Sequence, residues 1–139
     1  MLDLPIGESA AIAEVGLQRE PVFTAPELSI IVPTFNECEN VPVLVDRLRK
    51  ALPGVAWEMI IVDDDSPDGT ADVARTIGAT DARIRCLRRV GRRGLSGACL
   101  EGMLASQARY AAVMDADLQH DERLLLPMLA KLRSDEPTS

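Results

Sequence analysis

Residues 57–70 read WEMIIVDDDSPDGT, and the order of residue types in this stretch decides the fold. Trp57 to Val62 is a continuous apolar, β-rich run, suited to a strand buried on both faces. It runs without a break into three carboxylates, Asp63, Asp64 and Asp65. Pro67-Asp68-Gly69 is then a turn signal, and helical spacing begins at Thr70. Three adjacent carboxylates repel one another, so at least one needs a partner. A nucleobase N–H is a candidate partner for Asp64, while Ser66 or Asp68 is expected to cap the following helix.

The same unit recurs on either side. Leu28 to Pro33 (LSIIVP) is a second buried strand, followed by Thr34-Phe35-Asn36-Glu37 and by an amphipathic helix over Asn40 to Leu52, with Pro42 tolerated in its first turn. After a helix over Thr70 to Ile77, closed by Gly78, come a strand over Ile84 to Leu87, a helix over Leu95 to Ala108 and a strand over Tyr110 to Met114. A last helix is expected over Glu122 to Arg133, broken or restarted at Pro127. This βαβαβαβα order predicts an α/β fold, a Rossmann-like, mostly parallel sheet with helices on both faces. Ligands of such sheets bind beyond the carboxyl ends of the strands. Here all four ends carry polar clusters: Thr34 to Glu37, Asp63 to Asp65, Arg88-Arg89 with Arg92-Arg93, and Asp115-Ala116-Asp117.

Each cluster has its chemistry. Asp115 and Asp117 are two apart, so in extended chain both face the same way. Such a pair can hold a hard divalent cation, with Gln119 as a further oxygen ligand and phosphate and water completing the shell. The alternative is an acidic loop capping the next helix. Between Arg83 and Arg93 the chain has six arginines. Arg92 and Arg93, beside Gly91 and Gly94, are candidates for bidentate phosphate contacts, whereas Arg83 and Arg85 read as solvated strand-edge charges. Gly97 and Gly102 are expected to let their helix lie close to the sheet.

Composition bounds the answer. The 139 residues carry 15 basic and 22 acidic side chains, a net charge of −7, which argues against a nucleic-acid binder. A phosphate-bearing ligand would need a local positive patch or a bound cation. Cys38, Cys86 and Cys99 fit no zinc spacing and are expected to be free thiols in a reducing compartment. No signal peptide and no apolar run of roughly 18 residues is visible, so the expectation is a cytoplasmic protein, free or peripheral at the cytoplasmic face of a membrane. Residues 1–27 lack a clean period and are read as a mobile arm with a short helix near Ser9 to Leu17; residues 28–139 form the one domain.

Four segments, IIVPTFNECENVPVL, IIVDDDSPDGT, VGRRGLSGACLEGM and VMDADLQHDE, resemble, in this order, glycosyltransferase family 2 with its GT-A fold. Within it they are most similar to the branch of dolichol-phosphate mannose synthases and polyprenyl-phosphate glycosyltransferases. The resemblance covers Leu28 to Arg133 and implies roles. Pro33, Phe35 and Glu37 would form the first nucleotide-contacting turn, with Phe35 where the family often has Tyr. Asp64 would read the base. Asp115 and Asp117, with Gln119, would form the catalytic metal and diphosphate site, Asp115 also touching the nucleotide. Arg92, Arg93, Gly94 and Ser96 would lie in the loop beneath diphosphate and sugar. The implied donor is GDP-mannose or UDP-glucose, the implied cation Mg2+ or Mn2+, and the implied acceptor a polyprenyl phosphate. The family's catalytic domain continues well past the aspartate motif, so this domain is expected to be truncated on its C-terminal side, leaving an open strand edge that favours self-association.

A polyprenyl phosphate, largely dianionic at neutral pH because its second pKa is about 6, needs no general base to attack with inversion. The only histidine, His120, is therefore set aside as a base. The rivals are a nucleotide-sugar-binding fragment without catalysis, a transferase to a saccharide hydroxyl and, remotely, a receiver-like signalling domain. A receiver would need further strands after Asp115, and it leaves the strand and helix before Asp63 unexplained.

Overall fold

A computed structural model describes residues 25–137. The expected helix at Ser9 to Leu17 and most of the expected arm lie outside them. Just before β1, Glu27 N–H donates to the Ala56 carbonyl (2.7 Å), and the Glu27 carbonyl accepts from Tyr110 N–H (2.9 Å).

The elements alternate as expected. They are β1 (Leu28–Thr34), α1 (Asn40–Ala51), β2 (Trp57–Asp63), α2 (Thr70–Gly78), β3 (Ile84–Arg88), α3 (Leu95–Ala105), β4 (Tyr110–Val113), a 3-10 turn (Glu122–Leu124) and α4 (Leu125–Ser134). All strands are parallel, in the order β3-β2-β1-β4. The register pairs Thr34 with Asp63 and Asp63 with Arg88, so the carboxyl ends lie level on one rim.

The two faces are covered unequally. One buries Leu28, Ile30, Val32, Met59 and Ile61 against Val41, Leu44, Val45 and Leu48 of α1, Ala74 of α2 and Leu125 of α4. The other packs Ile31, Ile60 and Val62 against Ala98 of α3. Gly102 makes that contact close: a Cβ there would lie 2.5 Å from Ile31 Cγ2. Gly97 does not meet the sheet as expected; the space above it holds the Arg89 guanidinium. Among the described residues β4 has a strand partner on one side only, and its Val113 is exposed.

Several expectations need correction. Pro127 does not break the last helix. It sits in the first turn of α4, where a missing N–H costs nothing, and the change of geometry falls earlier, between Leu124 and Leu125. α2 runs one residue further than expected and ends at Gly78, where a Cβ would meet the Ile84 carbonyl oxygen at 2.6 Å. α3 ends at Ala105, three residues early, and β4 is shorter by one. Arg83 and Arg85 are not idle surface charges. Arg83 stacks on the Trp57 ring at 4.4 Å and pairs with Asp81. Arg85 holds buried Glu58 (2.7 Å) and donates to the last carbonyl of α3, at Ala105 (2.7 Å).

No helix among the described residues is long and apolar enough to cross a membrane. All three cysteines are free, and burial pushes the Cys86 thiol up to about 11.

Two carboxylates at the rear of the sheet link the fold to pH. Hydrogen bonds from Arg83, then Arg49, hold Asp81 far below its usual range despite partial burial. Burial pushes Glu58 up, but the Ser29 hydroxyl, the Gln107 N–H and Arg85 outweigh it and the net shift is downward. A folded-state value below the unfolded one, about 3.9 for Asp and 4.3 for Glu, gives stability that is complete above both and lost as pH falls through the folded value. The urea midpoint should therefore stay level from neutral pH to about 5 and fall below that. Asp81→Asn should make the fall shallower. A midpoint that holds to about pH 3 would contradict this assignment.

Candidate functional site

The rim starts from a buried carboxyl group. Asp63 ends β2 with no exposed surface. It accepts hydrogen bonds from Thr34 Oγ1 (2.8 Å), Ser66 N–H (2.9 Å) and Ser66 Oγ (2.6 Å). Further braces join the β1–α1 turn to the β2–α2 turn. Asn36 N–H donates to Ser66 Oγ (2.8 Å), Glu37 N–H to Thr70 Oγ1 (3.0 Å), Cys38 N–H to Asp68 Oδ2 (3.2 Å) and Asp64 N–H to the Thr34 carbonyl (3.1 Å). Neither expected residue caps α2: Gly69 holds the N-cap position without a side-chain cap, and Asp68 before it accepts from Thr70 N–H (3.0 Å) in a local turn. Ser66 faces the other turn instead.

These braces hold the first nucleotide-contacting turn of the sequence reading. Pro33 is half-buried beside Val62, Phe35 is exposed at the tip, and Glu37 accepts from Asn40 Nδ2 (2.7 Å). Asn36 and Asp65 adopt left-handed backbone, φ 55° and 54°, a conformation Asn and Asp tolerate better than most residues.

Asp64 and Asp65 both find arginines. Asp65 pairs with Arg88. Asp64 Oδ2 accepts from Gly94 N–H (3.0 Å), and Asp64 Oδ1 lies 2.8 Å from Arg89 Nε. That N–H is turned away from the oxygen, so the contact is an ion pair without a directed hydrogen bond. Arg89 is only 3% exposed and also donates from Nη1 to Glu101 Oε2 (2.9 Å) and from Nη2 to the Gly94 carbonyl (3.4 Å). Glu101 in turn accepts from Arg92 Nη2 (2.9 Å); Arg92, then Arg89, hold it below the usual carboxylate range.

The loop to α3 lies across this group. Gly91 (φ 76°) and Gly94 (φ 124°) take backbone angles that favour glycine. Arg93 reaches over the Phe35 ring, 4.9 Å from its centroid, joining this loop to the β1 turn. Ser96 is exposed in the first turn of α3, whose open N–H groups face the rim. The two expected phosphate arginines thus differ. Arg92 is paired with Glu101, whereas Arg93 has no carboxylate partner among the described residues.

Beyond β4 the in–out alternation continues: Met114 and Ala116 are buried, Asp115 and Asp117 face outward. Leu118 then takes φ 65°, unusual for a bulky residue, and reverses the chain so that Gln119 N–H returns to Asp117 Oδ1 (3.1 Å). His120 lies against Asp115, its Nδ1 accepting from Asp115 N–H (3.3 Å) and its Nε2 3.5 Å from Asp115 Oδ2. In contrast to Asp64, Asp65, Asp81 and Asp121, neither Asp115 nor Asp117 has an Arg or Lys partner among the described residues. The fit to a divalent cation is partial. No group of three or more His, Cys, Asp or Glu among the described residues is arranged to hold one. Two uncompensated carboxylates and the Gln119 amide suit a cation that brings the rest of its oxygen shell with a diphosphate.

The sheet order fixes the layout. β1 lies between β2 and β4, so the Asp64 tip and the Asp115 tip flank Phe35 to Glu37, two strand spacings or about 10 Å apart. A cleft of 460 Å3 lies elsewhere, at the rear around Trp57, Arg83 and Arg85. A cleft of 310 Å3 opens on the outer side of β4, between Val113, Gln119, His120 and Met128. Sequence reasoning put Arg92 and Arg93 in the site and left Arg89 out. The available signal was its place directly after β3, level with Asp63-Asp64 on the neighbouring strand.

Comparison with known proteins agrees with the fold. Two solved structures share the fold. One is a mannosyltransferase from Pyrobaculum calidifontis in complex with GDP-Man and Mn2+ (TM-score 0.63, 24% identity, 87% of this chain and 37% of that one). The other is a glucosyl-3-phosphoglycerate synthase from Mycobacterium tuberculosis with Mn2+, UDP and glucosyl-3-phosphoglycerate (TM-score 0.58, 21% identity, 78% and 43%). By sequence, the chain is 35% identical over 108 residues to a dolichol-phosphate mannosyltransferase of Pyrococcus furiosus, covering 78% of this chain and 30% of the relative. It is 39% identical over 107 residues to an undecaprenyl-phosphate mannosyltransferase of Micrococcus luteus, covering 75% and 43%. The chain thus spans less than half the length of these curated relatives. The pattern that defines the family "Glycosyl transferase family 2" matches residues 29–139, every strand tip described above included, and the chain belongs to that family.

Proposed function

We propose that this chain is the donor-binding part of a glycosyltransferase that moves a hexose, with inversion, from a nucleotide diphosphate sugar to a polyprenyl phosphate. The observation that carries the reading is the outward pair Asp115 and Asp117, without Arg or Lys partners among the described residues, on the same rim as Asp64 and Arg93. The names of the two sequence relatives support mannose as the sugar, and hence GDP-mannose over UDP-glucose as donor.

In this reading Asp64 takes a base N–H, and Pro33, Phe35 and Glu37 line the base and ribose. Arg93, Gly94 and Ser96 contact the diphosphate, with Arg92 held beside them by Glu101. Asp115, Asp117 and Gln119 would hold Mg2+ or Mn2+, which when bound supplies positive charge to the departing diphosphate. The acceptor phosphate is its own nucleophile, so the protein's part is positioning and charge stabilisation. His120 is left to orient Asp115. The acceptor places the protein's work at a membrane surface. A second reading is donor binding without transfer. A saccharide hydroxyl in place of the phosphate acceptor is the alternative for transfer.

Calorimetry with GDP-mannose should show binding that requires Mn2+ and weakens at least about tenfold in Asp117→Ala, a loss of about 1.4 kcal/mol. Equal affinity without metal, or in the variant, would overturn the donor-site reading. Transfer of radiolabelled mannose to a polyprenyl phosphate separates catalysis from binding alone. The reading also has the outer edge of β4, unpaired among the described residues, pair with a second copy. Sedimentation should then show a dimer that grows with concentration; a monomer throughout would contradict it.

A further inference from the structure

The chain of charges behind the rim links two parts of the site that sequence reasoning treats as separate. It runs from Asp64 through Arg89 and Glu101 to Arg92, with contacts of 2.8, 2.9 and 2.9 Å. Arg89 is its centre and the one member almost without exposed surface, at 3%. Burying a guanidinium is costly unless its charge is matched, and here carboxylates on two elements match it. The fold makes room for it. Arg89 N–H continues the β2–β3 ladder to the Asp63 carbonyl (2.7 Å), and Gly97 has no side chain where a Cβ would lie 2.7 Å from Arg89 Nη1.

What Arg89 does to Asp64 is specific. Their 2.8 Å contact supplies charge without a directed hydrogen bond, and Asp64 Oδ1 and Arg89 Nε have no hydrogen-bond partner among the described residues. The other oxygen, Oδ2, takes Gly94 N–H, and Arg89 Nη2 holds the Gly94 carbonyl. The carboxylate and the peptide at Gly94 are thus gripped from both sides. Oδ1 keeps its lone pairs undirected, and it is shielded from solvent in this conformation. Because Oδ2 and Gly94 N–H are bonded, a ligand that moves the Asp64 carboxylate also moves Gly94.

We propose that Arg89 is a positioning residue for the donor. It fixes the Asp64 carboxylate and ties the 91–97 loop to it, so base and diphosphate are bound as one coupled unit. The proposal deepens the donor-site reading and rests on it. Lysine cannot reproduce the role, because an ammonium cannot span Asp64, Glu101 and the Gly94 carbonyl together.

The test is a double-mutant cycle on the full chain, with Mn2+-GDP affinity measured by calorimetry and folding by urea denaturation. Arg89→Lys should weaken GDP at least about tenfold in the unaltered background, and less than about twofold when Asp64 is already Asn. A purely structural role would give the same loss in both backgrounds, and that result would overturn the proposal, as would no loss in either. If Arg89→Lys fails to fold, Glu101→Gln, which frees one end of the guanidinium, takes its place with the same background dependence expected. Failure of the unaltered chain to bind Mn2+-GDP would overturn the donor-site reading and this inference with it. Binding that Asp64→Asn weakens and Arg89→Lys does not would overturn the inference alone.

Discussion

Asp63 carries a carboxyl group with no exposed surface, and it is held by hydrogen bonds from Thr34 Oγ1, Ser66 N–H and Ser66 Oγ. A buried polar group left without partners costs about 1–3 kcal/mol, so these bonds constrain the two turns strongly. They tie the end of β1 to the loop after β2. The Asp64 side of the candidate site is built outward from that tie. Asp64 starts from it, the β1 turn is braced against it, and Arg89 N–H bonds to the Asp63 carbonyl. The tie does for the backbone what parallel register does for the strands: it sets polar tips level along one edge.

On that edge the charges fall into two kinds. Behind the rim they are matched in series, Asp64 with Arg89, Arg89 with Glu101, Glu101 with Arg92. At the β4 tip they are not matched: Asp115 and Asp117 have no basic partner among the described residues. A chain of net charge −7 needs a cation or a local basic patch to hold a diphosphate, and the strand order sets the Asp64 tip and the Asp115 tip about 10 Å apart. Arg93 above Phe35 is the basic element without a carboxylate partner, and the aspartate pair is the acidic one.

Much of this was legible in the sequence because it depends on local pattern. Apolar runs at Leu28, Trp57, Ile84 and Tyr110, each followed by a polar cluster, give the strands, their order of appearance and the residues at their tips. Pairings distant in sequence were not legible. Arg85 looked like a surface charge because Glu58 is 27 residues away, and buried Arg89 looked like one more member of a basic run because Asp64 and Glu101 lie on other elements. Pro127 misled in the opposite sense: proline signals a break inside a helix, but here the helix begins only at Leu125. Gly102 was rightly read as a close approach to the sheet; Gly97 was not, because the space above it holds the Arg89 guanidinium, a pairing distant in sequence.

The central claim is that strand tips far apart in sequence form one cation-and-nucleotide site. Paramagnetic broadening of backbone amide signals by Mn2+ in the presence of GDP measures this directly. The account predicts that Asp115 to Gln119 broaden first, with Phe35 to Glu37, Asp64 and Gly94 next, while Trp57, Glu58 and Arg85 at the rear stay sharp. Broadening centred on the rear residues, or confined to the β4 tip with Asp64 and Gly94 untouched, would contradict it.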